Sequence, residues 1–170
     1  IEQFIKNAEA DLMKANSVET KITDIKNNPP TVTTFNSKIT AISTEYNKLT
    51  DLQKALVPNY DDFKNYDKAK EVVDEITVLT KLAANSDALR NQLPDVKKKY
   101  DEELDTLLKT LVTNADKLSE MMAALEKAEE VEGKINAITL ESQTISDTRT
   151  AYNTLSSTEK RYVKKEAMDL

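Results

Sequence analysis

The 170-residue chain contains no His, no Cys and no Trp, and it has a single Gly. Without His and Cys it can form neither a Ser–His–Asp nor a Cys–His arrangement, and it has no imidazole or thiolate ligands for zinc. One glycine is too few for a phosphate-binding loop or a dinucleotide-binding fingerprint. We therefore expect a protein that is not an enzyme, with no catalytic residues, no cofactor-binding residues and no metal ligands.

The net charge and the lengths of the apolar runs exclude two further classes of partner, nucleic acid and the membrane interior. Thirty acidic residues against 24 basic ones give a net charge of −6, whereas nucleic-acid binding depends on basic contacts to phosphate. No apolar run approaches the ~18 residues that a membrane span needs. We expect no nucleic acid and no membrane span. The scarcity of glycine and aromatic residues favours helices over sheets.

An internal repeat organises the chain. The motif K-A-x-x-V-x-x-x-I-x-x-[IL] begins at Lys14, Lys68 and Lys127. Its apolar positions are three or four residues apart, so they form one stripe on a helix, here called helix A of each repeat. The stripe residues are Ala15, Val18, Ile22 and Ile25; Ala69, Val72, Ile76 and Leu79; and Ala128, Val131, Ile135 and Ile138.

Two more helices follow each helix A. Helix B has apolar residues at helical spacing: Phe35, Ile39, Ile42, Tyr46 and Leu49; Leu89, Leu93, Val96 and Tyr100; and Ile145, Tyr152 and Leu155, with Thr148 in place of an aliphatic residue. Helix C is short and ends at Val57, Val112 and Val163, and Asn59 and Asn114 follow the first two. Thr50 with Gln53, and Ser156 with Glu159, predict capping boxes at its start, and Asp105 predicts a single cap.

These patterns predict an all-α fold of three tandem three-helix bundles, over residues 1–59, 60–114 and 115–170. The third bundle has a shortened A–B hairpin. We expect near-continuous helices at the bundle junctions and an elongated molecule. Because Ile1 already lies in a helical pattern, the sequence also suggests a piece of a longer chain.

Some residues admit two interpretations. Pro94 either kinks a continuous helix B, which we favour, or marks its start. Gly133 is expected on the solvent face. The acidic cluster of Asp61, Asp62 and Asp67 could attract calcium, but it lacks the tight glycine turn of a calcium loop.

Basic and apolar groups also admit a binding role and a structural one. Lys97–Lys99 and Lys164–Lys165 could contact an anionic polymer, although a solvated helix face is the simpler interpretation. Met121 and Met122 are expected in the core, beside Leu125. The recurring tyrosines Tyr46, Tyr100 and Tyr152 are expected to be buried with their hydroxyl groups at the rim.

The segments that join helices B and C show a resemblance. Residues Tyr46–Tyr60 and Ala151–Lys165 resemble the A-Y-x-x-L-[ST]-x-x-[EQ]-K-x-x-V-x-N motif of helical repeats in Gram-positive bacterial surface proteins, such as S-layer proteins and wall-anchored adhesins. The middle repeat departs from it, with Asp101 after Tyr100 and no capping box. The resemblance implies a three-helix-bundle repeat, an extracellular location at the cell surface or cell wall, and no active residues.

Three functions follow as hypotheses. The first is a non-catalytic structural or spacer segment of a cell-surface or S-layer protein, whose partners are neighbouring modules of the same larger protein. The second is an adhesin repeat that binds a host protein or a cell-wall polymer through exposed helix faces. The third is a cytosolic helical scaffold or the regulatory part of an enzyme.

We predict that folding requires no metal ion, because the chain lacks His, Cys and a calcium loop. Thermal unfolding followed by circular dichroism should give the same midpoint with EDTA and with added calcium. A midpoint several degrees lower in EDTA would contradict this prediction and would make the cluster of Asp61, Asp62 and Asp67 a metal site.

Overall fold

The structure is a computed structural model, and it describes residues 1–138 and 142–168. Within these ranges it is helical and contains no β-strand, which confirms the all-α prediction. The described helices include none that is both long enough and apolar enough to cross a membrane. Residues 139–141, in the shortened A–B hairpin predicted for the third repeat, lie outside the described residues.

The helices follow the predicted order A, B, C in each repeat. Repeat 1 comprises α1 (Glu2–Asn27), α2 (Val32–Asn47) and α3 (Asp51–Lys54). Repeat 2 comprises α4 (Tyr60–Leu79), α5 (Asp87–Lys98), a π-helical segment (Lys99–Glu103) and α6 (Thr106–Leu111). Repeat 3 comprises α7 (Ala115–Asn136), α8 (Ser142–Thr154) and α9 (Ser157–Lys160), and α10 (Lys165–Met168) follows it.

Side-chain caps set where helices begin. Both predicted capping boxes are present, and in each the backbone N–H of Thr50 or Ser156 donates to the side chain three residues later, at 2.9 and 2.7 Å. Asp105 caps α6 by accepting from the N–H of Leu108 at 2.8 Å, as predicted. Ser86 caps α5 in the same way, which the sequence analysis did not anticipate.

The chain divides into two compact units. The first unit contains residues 1–73 and 102–113, and the second contains residues 74–101 and 114–170. In the first unit α1 packs against α2 and α3, and α6 packs against α2. In the second unit α7 packs against α5, α8, α9 and α10. The division into three bundles is a different partition of the chain and stays a prediction.

The predicted stripe forms the core of the first two repeats. Its eight residues there are at most 2% exposed: Ala15, Val18, Ile22, Ile25, Ala69, Val72, Ile76 and Leu79. In the third repeat Ala128 and Val131 are buried and Ile135 is half-buried, but the prediction is wrong at Ile138, which is 44% exposed. On helix B it is wrong at Ile145, which is 40% exposed. In the first two repeats the following helix A covers this end of the hairpin, and the described residues provide no such full-length helix after the third.

Polar Thr148 is nevertheless buried where the other repeats have Ile or Val. Its hydroxyl donates to the backbone carbonyl of Lys134 on α7, at 3.4 Å. This hydrogen bond offsets part of the cost of removing the hydroxyl from water. A Thr at this position is therefore compatible with the core.

The irregularities of the middle repeat have a simple explanation. Pro94 lies inside α5, so the helix is continuous, which is the alternative that the sequence favoured. Tyr100 and Leu104 are four residues apart, whereas the equivalent residues of the other repeats are three apart. The wider turn of a π-helix accommodates one inserted residue, and the π-helical segment lies at this insertion. Leu104 is then buried, 4% exposed, like its equivalents Leu49 and Leu155.

Two further expectations have different outcomes. Gly133 lies on the exposed face of α7, as predicted, and a Cβ atom added there would meet no atom within 4 Å. The expectation that Tyr46, Tyr100 and Tyr152 are buried is wrong, because all three are half-buried. Lysine side chains cover the rings of Tyr46 and Tyr152, so these rings lie at the edge of the core.

We predict that Ile76→Ala lowers the free energy of unfolding by roughly 2–5 kcal/mol, because it leaves a cavity at a fully buried position. Val78→Ala, at a position that is 52% exposed, is the control and should change it by less than ~1 kcal/mol. Thr77 is unsuitable as a control because its hydroxyl accepts a hydrogen bond from Asn114. Urea melts measure both variants, and equal, small effects would show that the stripe is misassigned.

Candidate functional site

The end of helix C is bound to the same turn of helix A in every repeat. In the first repeat the Asn59 side-chain amide donates to the backbone carbonyl of Glu19 at 2.9 Å and to the hydroxyl of Thr23 at 3.0 Å. In the second, the Asn114 amide donates to the hydroxyl of Thr77 at 3.2 Å. Thr77 aligns with Thr23, and Asn114 with Asn59. The recurring Asn, noted in the sequence without a role, therefore joins helices C and A.

The third repeat makes this connection with a different donor and acceptor. Lys165 stands where the other repeats have Asn. Here the backbone N–H of Lys164 donates to a carboxylate oxygen of Glu132 at 2.6 Å. Glu132 aligns with Glu19, so the connection is made at the same turn of helix A. We call these contacts the A–C ties.

Arg90 extends the third A–C tie into a network of charges. Its guanidinium donates to Glu132 at 2.6 Å, to Glu129 at 3.3 Å and to the backbone carbonyl of Tyr162 at 2.7 Å. The Arg90 and Glu132 side chains are only 10% and 13% exposed. Charges so far removed from water need partners, and removal of one partner is costly because it leaves the other unpaired. The motif search could not find this network, because Arg90 has no counterpart at the equivalent position of the other repeats.

A salt bridge between helices A and B recurs with its charges exchanged. Lys21 pairs with Glu45 in the first repeat, and Glu75 pairs with Lys99 in the second. The two pairs occupy aligned positions. Alignment of the first two repeats could have predicted this salt bridge, because Lys21 aligns with Glu75 and Glu45 aligns with Lys99. The sequence analysis missed it because it compared only the apolar positions.

The third residue after each cap binds helix A as well as its own cap. The Gln53 amide, at a side chain that is 3% exposed, donates to Asp11 at 2.7 Å. Glu159 accepts from the Lys127 ammonium group. The hydrogen bond from Lys127, with those from the backbone and hydroxyl of Ser156, lowers the pKa of Glu159 to about 2.

The Lys of the motif has a partner in the Tyr that precedes it by eight residues. The ammonium nitrogen of Lys54 lies 5.5 Å from the ring centroid of Tyr46, and that of Lys160 lies 5.3 Å from the ring centroid of Tyr152. Both distances fall within the ~6 Å over which an aromatic ring attracts a cation. The motif's Tyr and Lys thus close the turn between helices B and C.

The first residue of α4 packs on helix B of the first repeat. The rings of Tyr46 and Tyr60 stack with centroids 3.9 Å apart and planes 7° apart, and Phe63 lies beside Tyr60. Burial raises the pKa of both phenols, so both remain neutral at physiological pH. Sequence analysis placed Tyr60 at the junction but gave it no partner.

The three aspartates that were considered for calcium do not converge. Asp62 pairs with Lys26 at 2.9 Å, Asp61 pairs with Lys64 at 3.3 Å, and Asp67 accepts a hydrogen bond from Ser43. Each carboxylate therefore faces a different partner. In the part of the chain that the structure describes, no group of three or more acidic side chains is placed to hold a metal ion.

The basic runs are also divided among separate partners. Lys97 pairs with Asp101, Lys99 with Glu75, and Lys164 with Asp87. Met121 and Leu125 are buried and Met122 is half-buried, so this group belongs mainly to the core, as expected. Three of the five lysines in these runs thus form ion pairs within the protein.

Two surface grooves carry paired charges. A groove of about 290 Å³ between α1 and α2 contains Lys21 and Lys38, which pair with Glu45 and Asp24. A groove of about 350 Å³ between α7, α8 and α9 contains Lys127 and Lys134, which pair with Glu159 and Glu130. The lysines of both grooves are thus neutralised by the protein itself.

Comparisons with known proteins found no matching family model, no matching curated protein and no matching solved structure.

We predict that the Glu159 carboxyl group titrates near pH 2 in the folded protein, measured by NMR of its side-chain carbon. Lys127→Met and Ser156→Ala should each raise the midpoint toward the ordinary value of 4.5, because each removes one side-chain hydrogen bond to the carboxylate, while the backbone N–H of residue 156 still donates to it. A lowered folded-state pKa contributes stability at neutral pH that is lost as the pH falls from about 4.5 to about 2.

Thr158→Ala, beside Glu159 on α9, is the matched control and should leave the midpoint unchanged. A wild-type midpoint near 4.5, or the same midpoint in Lys127→Met and Ser156→Ala as in the wild type, would show that the carboxylate does not hold these hydrogen bonds in solution.

Proposed function

We propose that this chain is a non-catalytic spacer segment of a bacterial cell-surface or S-layer protein, built from three tandem three-helix bundles and located outside the cell. The observation that carries the proposal is that an A–C tie recurs at the equivalent turn of helix A in all three repeats. Asn59, Asn114 and Lys164 each bind the equivalent turn of helix A. A spacer needs this kind of repeated internal connection and needs no reactive group.

The motif supports the proposal because its residues have structural partners. Thr50 and Gln53 cap α3, Lys54 covers Tyr46, and Asn59 forms the tie. Ser156, Glu159, Lys160 and Tyr152 do the same in the third repeat. Architecture thus accounts for these motif positions without invoking a ligand. The cell-surface location is proposed from the resemblance of this motif to repeats of Gram-positive surface proteins.

Contacts between each helix A and the preceding hairpin also favour a tandem array. The N-terminal half of α4 contacts α1 and α2 through Lys26–Asp62, Ser43–Asp67 and Tyr46–Tyr60. In the second unit α7 packs against α5. Nearest-neighbour contacts of this kind stabilise repeat arrays.

An adhesin repeat is the second candidate, and one observation favours it. The first turns of α1 expose large apolar side chains, among them Phe4 at 77% and Met13 at 72%. Exposed apolar patches of this kind mark interaction surfaces. In this alternative a host protein or a cell-wall polymer would bind α1.

The spacer proposal predicts an extended particle in small-angle X-ray scattering. Helices A of 26, 20 and 22 residues placed end to end would span on the order of 100 Å at about 1.5 Å per residue. A compact chain of this length would have a diameter of about 40 Å. Extrapolation to zero concentration removes any contribution from association. A maximum dimension below ~60 Å would contradict the end-to-end array and, with it, the spacer proposal.

A further inference from the structure

Two tyrosine rings meet where α4 begins. Tyr46 is the second-last residue of α2, and Tyr60 is the first residue of α4. Their ring centroids are 3.9 Å apart and their planes 7° apart, so the rings lie face to face in van der Waals contact. Both residues belong to the first compact unit. We call Tyr46 and Tyr60 the stacked pair.

The architecture of the repeat does not require the stacked pair. Tyr100 is the equivalent of Tyr46 in the second repeat. The residue after Asn114, however, is Ala115, where the first repeat has Tyr60. The A–C tie of the second repeat forms all the same. The tie therefore does not explain why a tyrosine stands at the start of α4.

The stacked pair is accessible at its edges but covered on its faces. Both tyrosines are half-buried, so solvent reaches part of each. The ammonium nitrogen of Lys54 lies 5.5 Å from the ring centroid of Tyr46, and Phe63 lies beside Tyr60. Neither of these neighbours is a phenol. The faces of the two rings therefore have little room for a tyrosine of a second molecule.

The electrostatics of the pair agree with its geometry. Burial raises the pKa of both phenols, and the charge of Asp67 raises that of Tyr60 further. A charge on Tyr46 also raises the pKa of Tyr60, as expected for two hydroxyl groups that lie near each other. Both phenols are thus protonated at neutral pH, so oxidation of either one removes a proton together with the electron.

Two phenols in contact can be joined by oxidation. A one-electron oxidant removes one electron and one proton from each phenol, which leaves two phenoxyl radicals. In each radical the unpaired electron is shared between the oxygen and the ring carbons ortho to it. One ortho carbon of each ring forms the new carbon–carbon bond, and each of these carbons then passes its hydrogen to the oxygen beside it, which restores both aromatic rings. Hydrogen peroxide balances the reaction by taking up the two electrons and two protons and becoming two molecules of water.

We propose that the stacked pair is a modification site, at which hydrogen peroxide and a haem peroxidase join Tyr46 to Tyr60 as dityrosine. Coupling within one molecule is favoured because the second radical is already in contact with the first. Both rings stand at helix ends, where they can turn from the stacked arrangement to the edge-to-edge arrangement of the product. The inference goes beyond the spacer function and does not rest on it.

The cross-link is a covalent staple for a chain that has no cysteine. It closes a loop of residues 46–60, which contains α3, and it attaches α2 to the start of α4. Such a link stabilises a fold mainly by restricting the unfolded chain, as a disulfide does. The cross-linked monomer should therefore unfold several degrees above the untreated protein. An unchanged midpoint would contradict this stapling role.

Oxidation of the full chain with hydrogen peroxide and a haem peroxidase tests the proposal. The monomer should acquire the blue fluorescence of dityrosine and lose the mass of two hydrogen atoms. Trypsin cleaves after Lys, so residues 39–48 and 55–64 form separate peptides, each with one tyrosine. Mass spectrometry should find these two peptides joined. A light-activated ruthenium tris-bipyridyl complex with persulfate is the second oxidant, because it is much smaller than an enzyme and reaches half-buried rings.

Three phenylalanine variants identify the rings that couple. Tyr46→Phe and Tyr60→Phe keep both rings but remove one phenol, so each should lose the cross-link within the monomer. Tyr66→Phe is the matched control, because Tyr66 also lies on α4 and is half-buried like Tyr60. It should give the joined peptides as the wild type does. Circular dichroism verifies that each variant is folded, and coupling of added N-acetyltyrosine verifies that the oxidant is active.

Three results would overturn the proposal. The first is a wild type in which neither oxidant joins the two peptides, although N-acetyltyrosine is coupled. The second is coupling only between molecules, which denaturing electrophoresis shows as dimers, because the stacked pair would then not be the site. The third is a cross-link within the monomer that persists in Tyr46→Phe or Tyr60→Phe, or that disappears in Tyr66→Phe.

Discussion

The burial of one continuous apolar stripe along each helix A is the constraint on which the other features depend. Helices A are longer than the hairpins they form with helix B, so the two halves of each helix must be covered by different neighbours. In α7 the first half packs against α5, and the second half binds helix C, at its start through Lys127 and at its end through Glu132. Toward the start of α1 the same side of the helix carries Ile5 and Leu12, which are about half exposed among the described residues.

Polar contacts then determine how helices B and C lie on helix A. Each helix C is only one or two turns long, so hydrogen bonds and ion pairs to helix A add to its apolar contacts. The A–C ties hold its end, and the cap partners, Asp11 for Gln53 and Lys127 for Glu159, hold its start in the outer repeats. The contacting positions on helices A and C are shared by the repeats, but the groups that form the hydrogen bonds differ. A side-chain amide or a backbone N–H can be the donor, and a carbonyl, a hydroxyl or a carboxylate can be the acceptor.

Much of the fold could be predicted because helix formation is governed by local rules. Spacings of three and four residues identified the stripe, whose residues are buried except toward the hairpin tip of the third repeat, where Ile135 is half-buried and Ile138 is exposed, as is Ile145 on helix B. The caps at Thr50, Asp105 and Ser156 were predictable because a capping side chain bonds to a backbone group only three residues away. Tyr46, Tyr100 and Tyr152 were predicted to be buried but are half-buried. An amphipathic ring at the end of a stripe can remain half-exposed, and in two of the three cases a lysine side chain lies over it.

By itself, the sequence determined the helical class, the order of the helices, their capped starts and the absence of His and Cys chemistry, because each depends on residue type or on neighbours within one or two turns. Tertiary structure alone decided the partners of Asn59, Asn114 and Arg90, because their partners are 36 or more residues away along the chain. It also decided which parts of the stripe are exposed. An Ile at helical spacing is the same residue at position 22 and at position 138, and only the element packed over it makes the first fully buried and the second 44% exposed.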